Sequence, residues 1–132
     1  MGRRRIGQEE LRLGDAWRRT GSLDEISGLI EWAEIDRHLI LIYASDKGEQ
    51  GWPPLAMVKA LLLAVWYDLS DVKLAEALDD RASFRRFCGF ADSESTPERT
   101  AFVRFRRELV ARSLDRVLFE AINEQLDEKN VW

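Results

Sequence analysis

The sequence is poor in the residues that disulfide bonding, metal binding and nucleophilic catalysis use. It contains one cysteine, Cys88, and one histidine, His38. A lone cysteine cannot form a disulfide within the chain, which fits a reducing cytoplasm. A zinc site formed by Cys and His would need more of both residues. The sequence pattern places no Ser or Cys next to His38, so a Ser-His-Asp or Cys-His catalytic unit is not supported. His38 lies in an apolar stretch, so we expect it to be structural.

Other functional signatures are missing as well. There is no glycine-rich phosphate loop, and most carboxylates fall on expected solvent faces or at helix ends rather than converging as a two-metal site requires. The longest apolar run, residues 55–67, contains Lys59 and is too short to span a bilayer. No apolar segment follows the basic residues 1–5, so a signal peptide is not indicated. The sequence therefore predicts a cytoplasmic protein without cofactor, metal, membrane partner or enzymatic activity of its own.

The charge is distributed unevenly. The net charge is −4, which argues against general coating of nucleic acid. Residues 1–20 hold six Arg against three acids, and residues 81–112 hold eight Arg against four acids, without a Lys in either zone. Residues 21–80 between them hold four bases against twelve acids. Because the guanidinium fork suits phosphate and guanine edges, the two Arg zones are candidate DNA contacts, although a solvated charged surface explains the composition equally well.

The remaining pattern is helical throughout, which predicts an all-α, compact multi-helix bundle containing a helix-turn-helix-like unit. Pro53-Pro54 opens an apolar helix that we expect to be its buried centre. The expected helices cover about residues 22–30, 35–43, 53–67, 71–79, 81–88, 96–111 and 114–126. Residues 1–21 are expected to form a basic arm, and residues 22–130 a single helical domain.

The helix over 96–111 is the main candidate for DNA contact. At about 100° per residue, Phe102, Phe105 and Leu109 share one face, and Thr100, Arg104, Arg107 and Ala111 share the opposite face. Arg106 falls at the boundary, where it either pairs with an acid or reaches a flanking phosphate. A short polar side chain followed by Arg suits base edges in a major groove. A generic amphipathic helix carries such arginines too, so the pattern alone does not decide.

Five blocks of the chain resemble the DDE transposases of the insertion sequence five family. They cover residues 51–63, residues 66–71 with 74 and 76–78, residues 81–89 (RASFRRFCG), residues 96–107 (TPERTAFVRFRR), and residues 122–123 with 125–126. The resemblance extends over about residues 23–130, with the blocks in the family's order. Glu98-Arg99 stands where the family has Asp-His, and Ala101 stands where it has Thr or Ser. These two departures concern which DNA sequence the chain recognises. The strand with the first catalytic aspartate comes after residue 132 in the family, so the catalytic ribonuclease-H-like domain is expected to be absent here.

The resemblance implies a non-catalytic module that binds double-stranded DNA at transposon ends. In this interpretation the 96–111 helix enters the major groove, the arm lies in the minor groove or along the backbone, and residues 81–86 contact phosphates. The candidate DNA-binding residues are Arg3, Arg4, Arg5, Arg81, Arg85, Arg86, Pro97, Arg99, Thr100, Arg104, Arg106 and Arg107.

Two alternatives remain open from the sequence. The acidic region 21–80 and the tryptophans Trp17, Trp32 and Trp52 suggest a protein-interaction module that forms a homo-oligomer or binds a separate catalytic transposase subunit. A transcriptional repressor derived from a transposase is the other alternative, and it differs in which DNA is bound and in the consequence of binding.

Overall fold

The structure is a computed structural model that describes residues 23–40, 42 and 51–129. The described residues form helices only, which confirms the all-α prediction. The helices are α1 (Leu23–Leu29), α2 (Trp32–Arg37), α3 (Pro54–Tyr67), α4 (Asp71–Asp80), α5 (Ala82–Cys88), α6 (Arg99–Ala111) and α7 (Leu114–Glu128).

Helix α3 is the centre of the bundle, as its apolar sequence predicts. Pro53 is its N-cap residue and Pro54 is in its first turn, where a missing N–H costs no helical hydrogen bond. Nine of its fourteen residues are buried, and α2, α4, α5 and α6 all pack against it. The helix ends at Asp68, which adopts the left-handed conformation with φ 58°, and Leu69 N–H donates to Ala64 O at 2.8 Å.

The boundaries of α4 and α5 result from local capping. The hydroxyl of Ser70 accepts from Lys73 N–H at 3.2 Å at the start of α4. Gly89 ends α5 with φ 96°, a conformation that glycine adopts without a Cβ penalty. Phe90 then turns back into the core. For α4 the sequence predicts an apolar face of Val72, Leu74, Ala75 and Leu78, but Val72 is exposed and Ala77 is buried instead.

Three other boundaries differ from the sequence predictions. Helix α2 begins at Trp32 rather than near residue 35 and ends at Arg37. Helix α6 begins at Arg99 rather than near residue 96, with Glu98 as an N-cap that makes no side-chain hydrogen bond. Pro97 is buried in the connection that precedes α6. Packing of this proline outside the helix explains why the capping-like Ser95 and Thr96 do not start it.

Helix α7 closes the bundle against both α6 and α2. Its apolar face buries Leu118, Phe119, Ile122 and Leu126. Gln125, on the same face, accepts from the N–H of Glu31 and donates from Nε2 to Glu34 Oε1 at 3.2 Å. These bonds satisfy a buried amide and fix α7 to the start of α2.

None of the described helices combines the length and apolarity that crossing a bilayer requires.

Candidate nucleic-acid interface

Helix α6 presents two chemically different faces. Phe102 is fully buried, and Ala101 and Leu109 are buried beside it, so this face packs on the bundle. The opposite face turns Thr100, Arg104, Arg107 and Ala111 to solvent, and Arg99 is exposed in the first turn of the helix. The division of this helix into a core face and a solvent face, which the sequence predicts from a helical wheel, is therefore correct.

The exposed arginines of α6 are not neutralised within the described part of the chain. No acidic residue in it lies within ion-pair distance of Arg99, Arg104 or Arg107. Three unpaired guanidinium groups along one helix form a basic surface with free donors. Such a surface can bind phosphate oxygens or the acceptors of a guanine edge.

Arg106 lies at the boundary and pairs with an acid. Its Nη1 donates to Asp71 Oδ2 at 3.0 Å, and its Nη2 donates to Asp71 Oδ1 at 2.9 Å. Of the two roles that the sequence left open for Arg106, the structure shows the ion pair. The pair connects the first turn of α4 to the middle of α6, so Arg106 holds the helix rather than presenting a free cation.

Arg85 also serves the fold, which differs from the phosphate contact that we predicted. Only 9% of the residue is exposed. Its Nη1 donates to the carbonyl oxygens of Ala91, Asp92 and Glu94 at 2.8, 3.0 and 2.9 Å. These bonds organise the connection between α5 and α6, and they leave Nη1 without capacity for a phosphate. We therefore leave Arg85 out of the proposed interface.

Arg81 and Arg86 remain exposed near α5. The guanidinium of Arg81 lies 4.9 Å from the centre of the Phe84 ring, a distance that permits a cation–π contact. Arg86 Nε lies 3.4 Å from Asp24 Oδ1, but both side chains are well exposed, so this pair is weak. Both arginines can still reach an anion.

Four other predicted contacts are not part of this exposed surface as the structure describes it. Pro97 is buried and cannot touch DNA directly in this arrangement. Arg3, Arg4 and Arg5 lie outside the described residues, as does the rest of the predicted arm over 1–21.

The sequence prediction missed an apolar strip beside the α6 arginines. Val110 is 56% exposed, and Val103 lies one heptad before it on the same side of the helix. With Ala111, Arg106 and Arg107 they line an open depression of about 450 Å³. The spacing of seven residues between the two valines is a signal that the sequence contains. The prediction for this helix used only the Thr, Arg and Ala residues of its exposed face.

Two of the three tryptophans that suggested an interaction module pack on the chain itself. Trp32 meets Phe87 and Trp52 meets Phe90, each edge-to-face with ring centres 5.8 and 5.7 Å apart. Both are half-buried, so their presence is explained by the core. Trp17 lies outside the described residues.

Two ionisable groups, Cys88 in α5 and Lys59 in α3, are buried and half-buried, respectively. Burial raises the pKa of the Cys88 thiol to about 12, against a smaller opposing effect of the Lys59 charge. Burial also lowers the pKa of Lys59, whose ammonium lies 4.5 Å from the centre of the Trp32 ring. A thiol held neutral in this way is a packing group rather than a nucleophile. Among the described residues, no three His, Cys, Asp or Glu side chains are grouped to hold a metal ion.

A family model described as a transposase domain (DUF772) matches residues 12–108. The chain belongs to this family. The matched residues of the transposase domain include α1 through most of α6. Helix α7 lies beyond the matched residues and nevertheless packs into the same core. No solved structure matches the chain.

Proposed function

We propose that this transposase domain binds double-stranded DNA at transposon ends, within a DDE-type transposition system of the insertion sequence five family, and does no chemistry itself. The observation that carries the proposal is the exposed surface of α6. Arg104 and Arg107 on its outer face, and Arg99 in its first turn, have no acidic partner among the described residues. Membership of a transposase family makes transposon DNA the expected ligand.

Arginine occupies two kinds of position in this part of the chain, one bonded to protein acceptors and the other exposed to solvent. Arg85 and Arg106 are held by carbonyl oxygens and by Asp71, respectively. Among the described residues, no acceptor is bonded to the side chains of the arginines on the outer face of α6. Leaving unpaired cations together costs free energy through repulsion, and a polyanion removes that cost when it binds.

In the proposed complex α6 lies in the major groove. Arg104 and Arg107 contact guanine edges or phosphates, and Thr100 contacts a base edge near the N-terminal end of the helix. Arg81 and Arg86 contact the backbone and set the orientation. Arg106 acts through Asp71 and is a positioning residue.

The decisive experiment is a gel-shift titration with the inverted repeat that flanks the coding sequence, against a scrambled duplex, at two salt concentrations. We expect tighter binding to the repeat, and a fall in affinity with salt whose logarithmic slope is about −0.9 for each phosphate neutralised. Arg104→Ala/Arg107→Ala should weaken binding by tenfold or more and make the slope shallower by about one to two.

The matched control is Arg37→Ala/Lys129→Ala, which removes two exposed charges from other parts of the chain. This variant should keep both the preference and the slope to within about one unit. Binding that is independent of salt, or an equal loss in both double variants, would contradict the assignment of α6 as the interface.

A further inference from the structure

We infer that the strip of Val103 and Val110 on α6 reads the 5-methyl group of thymine in the major groove, next to the bases or phosphates contacted by Arg107. This inference rests on the proposed function and assigns it a base preference. The two valines line a depression with Arg107 on the same helix, and Val110 is exposed over more than half of its surface.

The charge around the strip favours DNA over a protein as its occupant. The depression is lined by Val103, Val110 and Ala111 together with Arg106, which pairs with Asp71, and Arg107. Arg107 has no acidic partner among the described residues, so a partner of the strip must be compatible with positive charge at that edge. DNA provides the complementary negative charge on both sides of a major groove.

The size of the strip leads to the same conclusion. A stable protein interface buries about 800 Å² on each partner, usually around a cluster of large apolar or aromatic anchors. Two valines and one alanine provide much less than this. They match the size of methyl groups, and the thymine methyl is the apolar feature that the major groove presents.

The geometry of a helix in a groove places these residues together. Val103, Arg107 and Val110 recur at spacings of four and three residues, so they succeed one another along the same side of α6. A helix that presents Arg107 to a base pair therefore presents the two valines to the steps on either side. We expect the preferred site to contain thymine adjacent to the base pair that Arg107 contacts.

The test replaces thymine by uracil, which removes the methyl group and leaves the Watson–Crick pairing intact. The probe is a duplex enriched by the full chain from a random pool of duplexes about two helical turns long, prepared in one form with dT and in a second form with dU at every thymine position. Each contacted methyl is expected to contribute roughly fourfold in affinity, on the scale of one buried methylene. The wild type should therefore bind the dU form roughly fourfold to fifteenfold more weakly.

In Val103→Ala/Val110→Ala the difference between the two forms should fall to less than half of the wild-type difference, because alanine keeps only a small part of the apolar contact. Both substitutions replace β-branched residues by alanine on a solvent-facing side of a helix, which favours the helix. Val110→Thr is a second variant, which keeps the branched shape and should retain part of the difference. Ile40→Ala is the matched control, since Ile40 is 60% exposed on a different segment, and it should keep the full difference.

The other outcomes separate the two proposals. Equal binding of both forms by the wild type would overturn the thymine assignment and leave DNA binding standing. A difference that stays above half of the wild-type difference in Val103→Ala/Val110→Ala would also overturn it, because another residue would then read the methyl. If the wild type forms a dimer that this variant abolishes, without any dT preference, the strip is an interface between copies of the chain. If no duplex is enriched from the pool, the proposed function fails as well.

Discussion

The guanidinium of Arg106 and the carboxylate of Asp71 form a two-point ion pair across 35 residues of sequence. Their side chains are 35% and 22% exposed, so water screens the pair only in part. Arg106 lies on α6 and Asp71 in the first turn of α4, and the contact fixes the rotation of the candidate DNA-binding helix relative to its neighbour.

The Arg106–Asp71 pair should contribute measurably to stability. In a double-mutant cycle with Asp71→Ala and Arg106→Ala, we expect a coupling free energy of about 1–2 kcal/mol, because both hydrogen bonds are charge-assisted and partly buried. Urea unfolding measured by circular dichroism gives this coupling.

The chain contains a matched control for this cycle. Lys73 and Glu76 lie 3.8 Å apart on the surface of α4, with side chains 69% and 66% exposed. Their coupling should stay below about 0.5 kcal/mol. Equal coupling in the two cycles would contradict a positioning role for Arg106.

Arg85 should be required for stability and not for the salt dependence of DNA binding. Arg85→Ala leaves the carbonyl oxygens of Ala91, Asp92 and Glu94 without their shared donor. We expect a loss of about 2–4 kcal/mol in the free energy of unfolding, with partial recovery in Arg85→Lys. The salt slope of Arg85→Lys, measured below its melting temperature, should equal that of the wild type, whereas a phosphate ligand would be expected to change it.

Substitution of alanine for glycine should change the free energy of unfolding in opposite directions at Gly28 and Gly89. An added Cβ meets nothing within 4 Å at either Gly28 or Gly89, so sterics with neighbours do not distinguish them. Gly89 has φ 96°, and Gly89→Ala should destabilise by about 1 kcal/mol. Gly28 lies within α1, and Gly28→Ala should stabilise by about 0.5–1 kcal/mol. Thermal unfolding of the two variants measures both changes in stability. Changes of the same sign would contradict the conclusion that the positive φ of Gly89 requires glycine at the end of α5.

Cys88 should react with iodoacetamide at about pH 8 only after unfolding, because the reactive species is the thiolate. Its thiol is buried and its pKa is raised to about 12, so the thiolate is almost absent in the folded chain. Because the folded pKa lies above the unfolded value near 9, folding stability from this group is intact below pH 9 and is lost as the pH rises from 9 toward 12. Mass spectrometry after native and denatured labelling measures the reaction, and Cys88 is the single cysteine of the chain. Rapid native labelling would contradict the burial.

Helices with strong local signals were predictable at the level of single residues. Pro54 in the first turn of α3, Ser70 as the cap of α4 and Gly89 at the end of α5 each act on the backbone of their own turn. Such signals depend on a few neighbouring residues, so the sequence shows them directly. The start of α6 was misplaced because Pro97 is held in the core before the helix begins, which is a tertiary effect.

The sequence by itself determined the helical class, the burial of α3 and the division of α6 between an apolar and a basic face, because these depend on periodicity and composition. Only the tertiary structure decided which arginines remain free. Arg85, Arg104 and Arg106 carry the same guanidinium, and their different roles depend on which carbonyl or carboxylate the packing of α4, α5 and α6 brings within hydrogen-bond distance. Asp71 lies 35 residues from Arg106, and the carbonyl oxygens that Arg85 binds belong to a connection outside its own helix, so the helical periodicity of α5 and α6 specifies neither set of partners.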